Sequence, residues 1–473
     1  MNIISVSAEI IPWSKTGGLG DVCGVLPKAL AERGHRVMTV APYYKTYEDA
    51  WDTGIVQIVD GHHIRFYHCR KDNVDHVFVD HPAIRRGAIY GTDAGAFSDN
   101  WFRFSLLCRG AILAAMHLVL DGSTYSADTN VPLRFLVHDW HASLLPAYLV
   151  MAQQWGMLPQ ASASLVIHNL AHQGKYPHSI YPQLNLPSGL LGALDMDGNL
   201  NFLKGAMVLS KKIITVSPTY AKEIRQTELG MGLEGILRWR EKDVHGILNG
   251  IDTEEHNPET DKVIAKNFSK EDLQGKIICK MSLQKEVGLP VQANVPLFGF
   301  VSRLDAQKGV DLLQEVMPWL LRQGAQVIIL GTGAPALEDW VKKIGQHPNV
   351  AGLVKFSGTL AKKITAGSDF LLMPSLFEPC GLSQQHALAY GTLPIVHATG
   401  GLRDTVHSFH PWLKQGNGWA FAPYSAENLQ QALQFALMTY KYHPEDIAVM
   451  QRNAMDEERS WTKAAQEYET LLQ

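Results

Sequence analysis

Lys15-Thr16-Gly17-Gly18-Leu19-Gly20-Asp21 is the stretch whose reading decides the fold. It lies between the apolar run Ile3 to Ile10 and a segment, Val22 to Arg33, in which Val22, Val25, Leu26, Ala29 and Leu30 recur at helical spacing. A short run rich in Ile and Val reads as a buried parallel strand, so the glycine stretch is a loop at a strand's C-terminal end that opens a helix. Its three glycines let a backbone turn tightly and approach a ligand without Cβ interference. A helix start offers N–H groups and a positive dipole end to an anion, and Lys15 adds a full positive charge. The spacing is neither G-x-G-x-x-G nor the P-loop pattern, so the loop points to a phosphate without naming the molecule. A plain βα turn with a solvated lysine stays open on this loop alone.

A chain of 473 residues exceeds one ordinary core and predicts two large domains. Hydrophobic residues at 46% with charged residues at 19% describe a packed globular enzyme rather than a disordered or fibrous chain. A net charge of −4, with no basic block, argues against nucleic acid, and no apolar run approaches a membrane span of about 20 residues. The start Met1-Asn2-Ile3-Ile4-Ser5 enters a strand directly, which predicts a cytoplasmic protein, or one of the plastid stroma if a transit peptide has been removed. Five cysteines lie scattered without C-x-x-C pairing, as in a reducing compartment, and their spacing gives no zinc site.

Strand-like runs at Ile3 to Ser7, Val37 to Ala41, Val77 to Val79, Arg134 to His138, Ser164 to Ile167 and Lys212 to Val216 alternate with helical patterns. That alternation predicts a mostly parallel sheet covered by helices on both faces. At Asn249-Gly250-Ile251-Asp252 the pattern breaks into turn chemistry, which places the first domain at residues 1–250 and the second at 251–454. The second series has strand candidates at Leu297 to Val301, Gln326 to Leu330, Val354 to Ser357, Phe370 to Met373 and Leu393 to Val396. The fold class is therefore α/β, with two Rossmann-like domains facing a central cleft, where open α/β sheets bind ligands.

The second half brings three further loops at strand ends. Arg303 and Lys308, in Val301 to Gly309, can hold a diphosphate better than one lysine can, although a solvated surface loop is the alternative. Glu378, in Pro374-Ser375-Leu376-Phe377-Glu378-Pro379-Cys380-Gly381-Leu382, is an acid in an otherwise apolar turn; its competing role is to cap the helix that begins near Gly381. Ala398-Thr399-Gly400-Gly401-Leu402-Arg403-Asp404 repeats the strand, Gly-Gly, helix arrangement and can offer N–H groups to a distal phosphate.

Taken together these loops resemble the bacterial glycogen synthase and plant starch synthase family. His138-Asp139-Trp140-His141-Ala142, His168-Asn169-Leu170-Ala171-His172-Gln173-Gly174, Thr215 to Ala221 and Leu248-Asn249-Gly250-Ile251-Asp252 match family segments as well, so the resemblance spans the whole chain. Asp49 to Thr53, Arg65 to Cys69 and Val77 to Pro82 look most like granule-bound starch synthase, while Val396 to Val406 is closer to the soluble starch synthases.

The resemblance implies a GT-B type glycosyltransferase that moves glucose from ADP-glucose to the non-reducing end of an α-1,4-glucan, with retention at the anomeric carbon and without a metal or other cofactor. It implies glucan partners (amylose, amylopectin or glycogen), with association to a starch granule as a further expectation, and a helix at about 455–473 that packs back on the first domain. Residue by residue, Lys15, Gly18, Arg303 and Lys308 would hold the diphosphate; His168 would face the transferred glucose, and Glu378 would bind its hydroxyls. The backbone about Cys380, Gly381 and Leu382 would complete the sugar pocket, joined by Asp21, Asn169 and Asn249. Lys355, Phe356 and His386 would border the nucleotide, Thr399 and Gly400 a phosphate, and Asp139 and Trp140 the acceptor. Relatives carry Arg where this chain has Leu376, a lost cation behind the sugar pocket.

Taken singly, His168 also reads as a structural histidine, Trp140 as core, and Cys380 as a packing residue rather than a nucleophile. Two rivals remain. A nicotinamide-dependent oxidoreductase requires a G-x-G-x-x-G turn that the first loop lacks. A catalytically silent glucan-binding protein of the same fold is favoured by Leu376 alone.

Overall fold

The structure, a computed structural model, describes residues 1–92 and 95–473 and divides into two units, Met1–Asn249 with Trp461–Gln473, and Gly250–Ser460. In the first unit the N-terminal apolar run is strand β1 (Asn2–Val6), with all of its side chains buried. Around it lie β2 (Arg36–Pro42), β3 (Trp51–Val59), β4 (His62–Lys71), β5 (Val74–Asp80), β6 (Leu133–His138), β7 (Ala161–Ile167), β8 (Lys212–Thr215) and β9 (Val244–Gly246). They form one nine-stranded sheet in the order β9-β8-β7-β6-β1-β2-β5-β4-β3. Pairing is parallel except at β4, which runs antiparallel to both β3 and β5.

That β3–β4 hairpin is absent from the sequence reading, and its burial says why. Along β3 exposed and half-buried residues alternate, with Trp51, Val56 and Ile58 open to solvent, so it lacks the continuous apolar run that marks β1 and β6. Helix α1 (Gly18–Glu32) begins four residues before the periodic pattern does, and Val22, Leu26, Ala29 and Leu30 are its buried face.

In the second unit β10 (Leu297–Val301), β11 (Gln326–Gly331), β12 (Val350–Val354), β13 (Phe370–Met373), β14 (Leu393–His397) and β15 (Trp419–Phe421) form an all-parallel sheet in the order β12-β11-β10-β13-β14-β15. Strand β12 ends where Val354 to Ser357 is expected to begin. The reason is Ser357: its Oγ accepts from the N–H of Leu360 at 3.2 Å and caps helix α3 (Gly358–Gly367), so the chain is already turning there. Helix α2 (Val310–Arg322) lays Val310, Leu313, Val316, Met317 and Leu320 on Phe298, Phe300 and Val327 of the sheet. Helices α4 (Ser383–Ala389), α5 (Gly400–Thr405), α6 (Ala426–Tyr442) and α7 (Pro444–Asp456) complete the unit.

The last helix, α8 (Trp461–Leu472), belongs to the first unit. Trp461, Ala464, Ala465, Tyr468 and Leu472 share one buried cluster with Val22, Leu26 and Leu30 of α1, each large side chain contributing about 1.5–3 kcal/mol by burial. The Arg134 Nε–H donates to the Leu472 carbonyl at 2.7 Å and pins the helix end. The return falls after Ser460 rather than near residue 455, because α7 runs on to Asp456 and keeps Met450 and Ala454 in the second unit's core. Among the described residues no helix is long and apolar enough to cross a membrane.

Candidate active site

The glycine loop of the first unit follows β1, and its geometry differs from the tight glycine turn that its composition suggests. None of Gly17, Gly18 and Gly20 has a positive φ, and Gly17 is extended at φ −154°. What organises the loop is Glu9, a buried acid inside the apolar run. Its carboxylate accepts from the Thr16 N–H at 2.6 Å, the Gly17 N–H at 3.1 Å and the Thr16 hydroxyl at 2.7 Å, and also from the Tyr90 hydroxyl. Two of the amides expected to meet an anion are thus already taken by one. Lys15, about half exposed, pairs with Asp21 at 2.6 Å. A Cβ on Gly17 would meet nothing within 4 Å, so the open approach expected of the loop is there at that position.

At the ends of β6 and β7 stands a second group. Asp139 is buried, sits at φ +56° and accepts from the N–H of His168 at 2.7 Å and of Asn169 at 3.4 Å. Burial pushes its carboxyl up to about 7, against the two N–H groups, which favour the ionised form. His168 Nε2 lies 2.9 Å from His138 Nδ1, and His138 Nε2 lies 3.0 Å from Ser5 Oγ. Burial drives His168 down to about 3 and His138 well below the ordinary histidine range, so both rings are neutral at neutral pH. Asn169 turns its side-chain oxygen to the Ala171 N–H at 3.0 Å, and Asn249 is buried at the unit's last residue. Trp140 packs on Gly174 and beside His141, with ring centroids 4.3 Å apart, so it has a core contact whatever else it meets.

In the second unit the structure brings Lys308 and Glu378 together. Lys308 Nζ donates to Glu378 Oε2 at 2.7 Å and the Ser375 hydroxyl donates to the same oxygen at 3.0 Å, with both partners mostly buried. They line a cavity of about 50 Å³ with Ser302, Gly381 and Leu382. Two glycines make this possible. Gly309, at φ +71°, has the Pro374 carbonyl where a Cβ would stand 1.9 Å away; Gly400, at φ +44°, has the Glu378 carbonyl at the same distance. Gly401 donates its N–H to the Glu378 carbonyl at 3.1 Å. Gln307 ties the two loops, donating to the Phe377 carbonyl at 3.2 Å while its own carbonyl accepts from Leu376 at 2.8 Å. Glu378 is therefore held by its backbone as well as its side chain, and helix α4 starts only at Ser383.

Arg303 is largely exposed and pairs with Asp305 at 2.8 Å. Cys380 is buried, and its carbonyl accepts from Gln384 at 3.0 Å. Thr399 is buried at the start of α5. Lys355 and Phe356 lie just past β12, and Phe356 offers 89% of its surface to solvent. His386 stacks on His256, centroids 3.7 Å apart. Leu376 is 44% exposed, and Glu378 has a cation in Lys308. Glu9, His138, Ser375 and Gln307 were not legible as site residues, although a lone acid within the run Ile3 to Ile10 is a signal that could have found Glu9.

The two Rossmann-like units, with residues 284–454 matching the family described as glycosyl transferases group 1, make this a glycosyltransferase of the GT-B class, and the second unit carries the buried Lys308–Glu378 pair. The chain belongs to the starch synthase family: residues 2–239 match the starch synthase catalytic domain. It is 44% identical over 502 residues to starch synthase 1 of Triticum aestivum, covering 100% of this chain and 77% of that one. It is 43% identical over 491 residues to granule-bound starch synthase 2 of Pisum sativum, covering 100% and 64%, so identity over the whole chain does not separate the two kinds. The catalytic domain of starch synthase IV from Arabidopsis thaliana, solved bound to ADP and acarbose, superposes with a TM-score of 0.89 at 31% identity, covering 100% and 98%.

Proposed function

We propose that this chain elongates an α-1,4-glucan by transferring glucose from ADP-glucose to its non-reducing end, with retention of configuration. The observation that carries this reading is the identity with starch synthases along the whole of this chain, joined to a similar structure solved bound to ADP and acarbose. The chemistry of the second unit fits it. Lys308 has three N–H donors and spends one on Glu378, which leaves donors for a phosphate oxygen, and Arg303, largely exposed on the same loop, supplies a planar fork. Lys15 with Gly18 is the first unit's candidate phosphate loop. In a retaining transfer on one face of the sugar, the leaving diphosphate oxygen accepts the acceptor hydroxyl's proton, so no protein base is required. Fixed cations then stabilise the departing charge, and we propose that the step needs no metal.

Glu378 is assigned to the glucose hydroxyls and to electrostatic support of an oxocarbenium-like transition state. His168, neutral and backed by Asp139 and His138, is assigned to the same sugar, and Phe356 offers a flat exposed surface to adenine. Attachment to an insoluble glucan granule, and a site of action in the plastid or, in a cell without plastids, the cytoplasm, belong to the same proposal; pelleting with starch granules and cell fractionation test them. The function is tested by incubating the protein with glucose-labelled ADP-glucose or UDP-glucose and a malto-oligosaccharide. Label entering β-amylase-digestible chains from ADP-glucose supports the reading. No incorporation from either donor would return the chain to a silent glucan-binding role.

A further inference from the structure

Cys23 on α1, His138 at the end of β6 and His168 just after β7 bring one sulfur and two ring nitrogens within 4.8 Å of one another. Their positions in the chain are so far apart that no cysteine spacing discloses the group. The two imidazoles face each other nitrogen to nitrogen at 2.9 Å, and the outer nitrogen of His138 is held at 3.0 Å by Ser5 Oγ.

We propose that Cys23, His138 and His168 form a binding site for a borderline-soft divalent cation such as zinc, and that the bound cation inhibits the enzyme by occupying His168. A thiolate sulfur and imidazole nitrogens are the ligand types that zinc takes. Zinc–nitrogen bonds of about 2.0–2.1 Å at tetrahedral angles place two ring nitrogens about 3.3 Å apart, so their 2.9 Å gap has to open by a few tenths of an ångström, while the Cys23 sulfur, within 4.8 Å of the nitrogens, has to stand about 3.6 Å from each. Ser5 Oγ, 3.0 Å from His138 Nε2, is placed to give the outer hydrogen bond that fixes a metal-ligating histidine: in the tautomer that carries the proton on Nε2, Ser5 accepts it and the Nδ1 lone pair is turned inward. The proton balance is simple. Cys23 releases its thiol proton to solvent, His168 shifts its proton from Nε2 to Nδ1, and nothing is oxidised or reduced. Of the three residues only His168 is partly exposed, so a water ligand at the fourth position lies on its side. The inhibition rests on the role given to His168 above; the binding does not.

The test titrates the purified protein with cobalt(II), whose thiolate charge-transfer absorption reports sulfur ligation, and in parallel follows glucosyl transfer during zinc addition and after a chelator. The expected result is a charge-transfer band saturating at one cobalt per chain with release of one proton, and a rate that falls with zinc and returns with the chelator. Cys23→Ala, with Cys23→Val as a second variant for the packing around α1, keeps the basal rate, loses the band and becomes at least about tenfold less sensitive to zinc, as loss of one of three ligands implies. Zinc on the second group, exposed His443 and Glu445 with buried Asp446, gives no thiolate band and is separated in this way. Absence of the band in the native protein, or unchanged zinc sensitivity in both variants, overturns the site. A band with an unaffected rate overturns the inhibition and the assignment of His168 to the reaction.

Discussion

Thr16-Gly17-Gly18-Leu19 and Thr399-Gly400-Gly401-Leu402 spell the same four residues, and both lead into a helix, α1 in the first unit and α5 in the second. Their glycines answer different demands. In the first, Gly17 is extended and a Cβ on it would touch nothing, while the amides of Thr16 and Gly17 are gathered by the Glu9 carboxylate. In the second, Gly400 is left-handed with the Glu378 carbonyl against its Cα, and a Cβ on Gly401 would stand 2.0 Å from the Cys380 carbonyl. Gly17 leaves room for a ligand; the second pair lets the protein's own backbone close in beneath Glu378. One motif thus serves access in one unit and assembly of the site in the other.

Alanine substitution should expose that contrast most strongly. Gly400→Ala adds a strained φ and a clash with backbone that cannot swing aside, and should cost the second unit about 2–6 kcal/mol, read as a lowered denaturant midpoint. Gly17→Ala should change stability by less than about 1 kcal/mol and act on donor binding instead. Equal losses at the two sites would remove the distinction.

Next in size is Lys308→Ala. It deletes a cation at the departing diphosphate and leaves Glu378 without its ion-pair partner, so turnover at saturating donor should fall about 10²–10³-fold, or about 3–4 kcal/mol. Near-native turnover would break the assignment. Glu9→Gln is smaller: an amide turns N–H groups toward N–H groups, leaving one buried donor unsatisfied at about 1–3 kcal/mol. It should weaken donor binding more than it alters the melting of the second unit, because the partners of its carboxylate, Thr16, Gly17 and Tyr90, all lie in the first unit.

Asp139 gives the most selective effect, one of pH. Its folded carboxyl lies near 7 against an ordinary value of 3.8, so between about pH 4 and 7 the folded protein holds a proton that the unfolded chain has lost. Stability from this residue is therefore greatest at the acid end and falls as pH rises, by up to about 1.4 kcal/mol per pH unit. The depressed histidines His138 and His168 act in the opposite direction, so the effect is read as the difference between the native protein and Asp139→Asn, in which they cancel. A flat difference curve between pH 4 and 7 would show that Asp139 is ionised throughout.

The sequence disclosed most where one physical signal dominated. Continuous apolar runs gave β1, β10, β13 and β14, and 3.6-residue periodicity gave α1. It disclosed least where the signal was shared between faces, as in the β3–β4 hairpin, or lay in a cap, as at Ser357. The loop residues Lys15, Arg303, Lys308 and Glu378 were legible as chemistry, but the pairing of Lys308 with Glu378 was not, since 70 residues separate them and only the sheet order brings β10 and β13 side by side. Glu9, Ser5 and His138 were hidden for a related reason: they act through other residues, and a sequence shows a side chain without its partner.

The most direct measurement is the turnover number of Glu378→Gln at saturating ADP-glucose, taken beside its affinity for ADP. The Gln variant keeps shape and hydrogen-bonding capacity but lacks the charge that supports a positively charged transition state. Turnover should fall by about 10²–10³-fold while ADP affinity changes far less. Turnover within a few-fold of the native enzyme, or a glucosyl adduct trapped on Glu378 with a fluorinated donor, would contradict its role as the residue that organises the transferred glucose.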